Sequence, residues 1–208
     1  MPEPSTRLFL ILPPIADAFA FRPVLAAALK AGDVACVLLR SGQDVKAIAQ
    51  ALMPLVQEHD AAFLVEGDPR LVARTGADGV HVAYSANGIE SALSSLGADA
   101  IVGAGALATR DEAMSAGELG ASYVMFGEPD AGGARPSAEH TLERVAWWAE
   151  IFNVPCVAYA GSLDEVGPLA EARAEFVALA DVVWKHPAGP AEAIKEANTL
   201  LANAVLTA

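Results

Sequence analysis

The chain has 208 residues, with 13 Lys and Arg against 26 Asp and Glu; a formal charge of −13 excludes a surface built to hold nucleic acid or an anionic membrane. Its length suits one domain with one sizeable core, expected over 1–208 because no linker or low-complexity block divides it. No uninterrupted apolar stretch reaches the roughly 18 residues needed to cross a bilayer and no charged-then-apolar leader opens the chain, which leads to the expectation of a cytoplasmic protein.

Short aliphatic runs alternate with alanine-rich stretches of helical period. They are Leu8 to Leu12, Ala35 to Leu39, Ala62 to Val65, Gly79 to Val82, Ala100 to Val102, Tyr123 to Phe126, Val154 to Tyr159 and Phe176 to Leu179. Strands buried on both faces read as continuous apolar runs, because helices cover one side and layers of side chains fill the other. The pattern predicts an α/β fold, an eight-stranded parallel (β/α)8 TIM barrel, with its site at the C-terminal ends of the strands. Gly76, Gly97 and Gly120, with Gly32 near the start, mark the turns from helix back to strand, where glycine reaches the left-handed conformation without a steric penalty. Cys36 and Cys156 fall inside strands, without metal-ligand spacing, and are expected as buried free thiols.

Candidate site residues follow in the same order. Arg40 ends the second strand, where a guanidinium can hold a phosphate bidentately or stand solvated. After the third strand, Glu66 and Asp68 could hold a hard divalent cation, although Asp68 before Pro69 also has the pattern of a helix cap. His81 alternates with Val80 and Val82 and so points to the opposite face from them; it could project into the barrel mouth as a substrate contact or be a satisfied core histidine. Gly103 to Ala108 superficially matches a dinucleotide-binding turn; a tight strand-to-helix turn with Gly105 at the floor of the mouth is the preferred reading. Gly127 to Pro136 is long for a barrel connection and contains Arg135 as its sole cation, fitting a ligand-covering loop or a mobile surface loop.

The helix after the sixth strand carries Trp147 and Trp148 beside Val145, Ile151 and Phe152, which suits packing on the barrel wall or the contact of a homodimer. Gly161 and Ser162 after the seventh strand open a helix and could cradle phosphate, while Ser162 and Glu165 have the spacing of a capping box. Thr109 and Glu112 have that spacing too. Asp181 after the eighth strand would repel a phosphate there.

Three phrases carry a family resemblance: Gly76 to Val82, Ala121 to Gly127, and Val154 to Ala158. Through them the chain resembles the thiamine-phosphate synthase family, also called thiamine-phosphate pyrophosphorylase, along nearly its whole length. The resemblance implies a barrel that joins a pyrimidine diphosphate to a thiazole phosphate and releases pyrophosphate with magnesium. Such chemistry needs positioning and electrostatic stabilisation of the departing diphosphate.

Several positions depart from the pattern the resemblance implies. Of a Gln-x-Arg-x-Lys phrase only Arg40 is kept, an Asn-Asp pair falls on Glu66 and Gly67, and a second metal aspartate falls within Ala83 to Ala86. A serine corresponds to Gly105, a Thr-rich loop containing lysine is replaced by Pro129 to Pro136, and one of two glycines falls on Ala160 while Gly161 is kept. A sister thiazole tautomerase branch would need a histidine where Leu107 and Ala108 stand. The expectation is therefore a synthase-like barrel that binds a small phosphorylated or heteroaromatic ligand at its rim, with synthase activity weak or lost. The assigned roles are Arg40 and Glu66 in catalysis; His81, Gly105, Gly127 and Arg135 with substrate; and Gly161 and Ser162 with phosphate. Magnesium would fall to Glu66 and Asp68. The alternatives are an active synthase and a non-catalytic interaction subunit.

Overall fold

The computed structural model describes residues 6–42, 44–130 and 132–207. Its strands are β1 (Arg7–Ile11), β2 (Val34–Leu39), β3 (Ala62–Glu66), β4 (Gly79–Ala83), β5 (Ile101–Gly105), β6 (Tyr123–Phe126), β7 (Cys156–Tyr159) and β8 (Phe176–Leu179). They pair in parallel and in chain order, and β1 also pairs with β8, so the sheet closes into a barrel. The TIM-barrel expectation is met. Between strands lie α1 (Ala18–Ala31), α2 (Val45–Gln57), α3 (Arg70–Thr75), α4 (Ala86–Ser95), α5 (Arg110–Leu119), α6 (Ala138–Ile151) and α7 (Val166–Glu171); α8 (Asp181–Trp184) and α9 (Pro190–Thr207) follow β8.

Alternation along each strand sorts the core into two shells. Phe9, Ile11, Cys36, Leu38, Leu64, Tyr123, Met125, Val157 and Tyr159 fill the barrel interior. Their neighbours, among them Leu8, Leu10, Val37, Phe63, Val80, Val82, Val124 and Ala158, pack outward against the helices. Cys36 and Cys156 are buried free thiols, one in each shell. No helix among the described residues is long and apolar enough to cross a membrane.

The helix-to-strand glycines divide into two kinds. Gly76 and Gly120 close α3 and α5 with φ of 84° and 100°, the left-handed conformation expected of them. Gly32 is extended instead, and space rather than dihedral angle selects it: a Cβ there would overlap the Asn198 amide. α4 ends on Leu96, also extended, so Gly97 has no capping role.

Trp148 is fully buried and donates from Nε1 to the Val154 carbonyl at 2.7 Å, while its ring stacks on Phe152 at 4.1 Å. Trp147 lies beneath the Arg110 guanidinium, 4.6 Å from its carbon. Both indoles are thus covered within the chain, and Ile151, 60% exposed, is the large apolar side chain that this helix presents outward.

Candidate functional site

At the C-terminal end of the barrel a buried polar network begins inside and climbs to the rim. His81 sits on β4 opposite Glu66 of β3 and Gly103 of β5, facing inward as alternation requires. Its Nδ1 lies 2.8 Å from the Tyr123 hydroxyl and its Nε2 lies 3.3 Å from Glu128 Oε2. An ionised Glu128 can only accept, so in the neutral imidazole the proton rests on Nε2 and Tyr123 donates to Nδ1. Burial drives the Tyr123 phenol well above its ordinary range, with Cys36, Glu128 and Glu66 adding to the effect, which keeps it a donor at neutral pH.

Glu128 is the centre of this network. Besides His81 it accepts from the Ala106 N–H at 3.1 Å and faces an Arg40 guanidinium nitrogen at 3.7 Å. Burial opposes its charge, yet His81, the Ala106 N–H and Arg40 together outweigh that penalty and hold the carboxyl below its usual range. Gly127, with φ of 86° and a Thr141 methyl where its Cβ would stand, swings the chain inward and delivers Glu128 to this position. Gly127 therefore has a backbone role.

A second cluster closes the rim after β7. Arg135 forms a bidentate pair with Glu165, at 2.9 and 2.8 Å, and also donates to the Tyr159 carbonyl at 3.3 Å. Glu165 additionally accepts from the Gly161 N–H at 3.0 Å. Burial raises the Glu165 carboxyl, but the Arg135 hydrogen bonds, the Gly161 N–H and the Arg135 charge prevail and leave it lowered. The capping box expected between Ser162 and Glu165 is not formed: the Ser162 side chain caps nothing, because Glu165 has turned to Arg135. The loop carrying Arg135 is a compact turn in which Asp130 accepts from the Gly132 and Ala134 N–H groups at 2.8 and 2.9 Å; Ala131 lies outside the described residues.

The acidic residues after β3 are also engaged. Glu66 accepts from the Ser41 N–H and hydroxyl, both at 2.9 Å, and Asp68 accepts from the Arg70 backbone at 2.9 Å and pairs with its guanidinium. Asp68 thus engages the first turn of α3 through the Arg70 N–H, although the N-cap position itself falls on Pro69. No group of three or more His, Cys, Asp or Glu side chains among the described residues could share a metal ion. Glu66 and Asp68 are thus each engaged by neighbours in the chain and form no shared all-protein cage with a third such side chain.

Arg40, Glu66, His81, Gly105, Gly127 and Gly161 accordingly gather at one opening, tied through Glu128 and Tyr159. Cavities of about 330 Å³ and about 400 Å³ open beside Glu128 and beside Arg40. A larger groove of about 670 Å³ lies at the opposite end of the barrel near Asp78. Asp78 already accepts from the Phe63 N–H at 2.7 Å and from Gln57, a structural role. The dinucleotide reading of the β5 turn has no switch point to use in a closed barrel, and α5 begins only at Arg110, behind the Thr109–Glu112 capping box.

A family model described as thiamine monophosphate synthase matches residues 8–183. The chain belongs to the thiamine monophosphate synthase family. It is 45% identical to a thiamine-phosphate synthase of Rhodospirillum centenum, covering 94% of this chain and 97% of that one. It is 39% identical to a thiamine-phosphate synthase of Hyphomonas neptunium, covering 96% and 95%. Among solved structures, the thiamine phosphate pyrophosphorylase from Pyrococcus furiosus superposes with a TM-score of 0.76 at 21% identity, over 95% of this chain and 96% of that one, a likeness of fold. Against the family resemblance, Glu128 and Glu165 are the residues that sequence reasoning passed over. Glu128 stood in a Gly- and Pro-rich loop that no periodicity orients, and the one available signal was the missing side chain at Gly105. Glu165 reads in sequence as part of a local cap, since the Ser-x-x-Glu spacing looks the same whether its carboxylate turns back along the chain or out to Arg135.

Proposed function

We propose that this member of the thiamine monophosphate synthase family binds a small phosphorylated or heteroaromatic ligand at its C-terminal rim, with synthase turnover weak or lost. The observation that carries the reading is the closed Arg135–Glu165–Gly161 cluster. A guanidinium beside a backbone N–H after a strand is equipment for holding phosphate. Here both donors are satisfied by a carboxylate of the same chain. A ligand phosphate must displace Glu165, and hydrogen bonds to charged groups contribute about 1.5–3 kcal/mol each. A net deficit of about 2 kcal/mol weakens binding roughly thirtyfold.

The chain's own residues would serve the ligand in distinct ways. Arg40, 37% exposed, is the cation that opens to the mouth, and Glu66 can accept from a ring amino group with the oxygen not turned to Ser41. His81, held between Tyr123 and Glu128, presents a fixed tautomer rather than a free base. The Glu66 and Asp68 carboxylates are already turned to Ser41 and Arg70, which weakens any hold they would have on a cation beside a leaving diphosphate.

The second reading, an active synthase with Arg40, Glu66 and Arg135 standing in for the missing groups, is favoured by the shared name of relatives at 45% and 39% identity. Titration calorimetry with thiamine phosphate and its two precursors, alongside a turnover assay with and without magnesium, separates the two. Saturable binding with negligible turnover is expected. Robust turnover abolished by Arg40→Ala would establish the second reading in place of the first.

A further inference from the structure

We propose that Glu128, seated in the space left by Gly105, occupies an oxyanion position of the mouth and sets specificity by excluding a ligand phosphate from it. The inference rests on the reading that the mouth binds a small ligand, and it names what the deep end of that mouth rejects. Three donors converge on the Glu128 carboxylate as they would on a phosphate: Arg40 at 3.7 Å, His81 Nε2 at 3.3 Å and the Ala106 N–H at 3.1 Å, while the Tyr123 hydroxyl holds the far side of the His81 ring at 2.8 Å. Ala106 contributes its N–H from a left-handed conformation, φ 53°, which a residue with a Cβ adopts only where its surroundings compensate the strain. Turning an N–H inward in this way is how backbone builds an anion-binding concavity.

Gly105 makes the occupancy possible. A Cβ at that position would overlap both Glu128 Oε2 and His81 Nε2. The serine that the family resemblance implies there and the carboxylate seen here therefore compete for one volume. The side chain of Glu128 is 7% exposed, shielded from bulk solvent, and it already fills the volume that a second anion would need. A carboxylate at contact distance from a diphosphate repels it strongly in such a shielded place.

The test is calorimetric titration of inorganic pyrophosphate into the intact protein and its Glu128→Ala, Glu128→Gln and Glu128→Ala/Arg40→Ala variants, with far-UV circular dichroism as the folding control. Glu128→Ala should gain at least about tenfold in pyrophosphate affinity over the parent protein, and adding Arg40→Ala should remove that gain. Glu128→Gln keeps the shape without the charge and should gain less; it also carries the test if the alanine variant fails to fold, since any gain by Gln supports the proposal and none overturns it. Equal affinity in parent and folded variants would overturn it, as would tight pyrophosphate binding by the parent protein. Thiamine phosphate titrated into the parent protein in parallel reports on the broader reading: if it fails to bind while Glu128→Ala gains pyrophosphate, the occupancy of the oxyanion position stands and the ligand-binding proposal falls.

Discussion

Glu165 shows how much one side chain can decide. Its carboxyl is lowered from the ordinary 4.5, so it stabilises the fold fully above that ordinary value, and the stabilisation disappears as pH falls through the lowered folded value. Glu165→Gln should lower the melting temperature near neutral pH by an amount equivalent to about 1–2 kcal/mol. Because protonation removes the same charge from the parent protein, the gap between the two melting curves should narrow as pH falls from neutral through and below the ordinary carboxylate range. A gap that stays constant with pH would mean that Glu165 acts through shape alone. At this scale the sequence was partly legible. Arg40 and His81 announce themselves because a strand end and strand alternation fix where they point. Glu128 and Glu165 do not, because their partners Gly105 and Arg135 are 23 and 30 residues away in sequence and only the pairing of neighbouring strands brings them together.

Elements were easier to read than the joints between them. The strands follow from continuous apolar runs, which few other structures tolerate, whereas a local spacing such as Ser/Thr-x-x-Glu has more than one outcome. Thr109 accepts from the Glu112 N–H at 3.1 Å, and Glu112 reaches back to the Thr109 N–H at 3.0 Å, completing the box. Ser162 makes no such bond before its own Glu165. The two identical-looking motifs therefore differ in what they contribute: Thr109→Ala should destabilise by about 1 kcal/mol, and Ser162→Ala should fall within about 0.5 kcal/mol of the parent in urea unfolding. Equal losses at the two sites would show that Ser162 caps the Leu163–Glu165 turn in solution. The same contrast separates Gly120, selected by its left-handed φ, from Gly32, selected by the space that Asn198 occupies; both read alike as a glycine after a helix.

Across the whole molecule, the formal charge of −13 adds a field that acts on any ligand before it meets the mouth. The rim's cations do little to reverse that field, because Arg135 is paired with Glu165 and Arg40 faces Glu128. A phosphorylated ligand thus approaches a surface of its own sign, whereas a site with unpaired cations would draw it inward. Salt distinguishes the two cases. The Debye length contracts from about 30 Å at 0.01 M to about 10 Å at 0.1 M, so the long-range repulsion is screened over that range while contacts inside the mouth change less. Association of thiamine phosphate, followed by stopped-flow intrinsic tryptophan fluorescence, should therefore quicken by a few-fold as salt rises. The uncharged hydroxyethyl thiazole should show no comparable dependence. If association of the phosphate instead slows with salt, the local pull of Arg40 and Arg135 exceeds the field of the whole chain, and the carboxylates beside them are displaced more readily than their geometry implies.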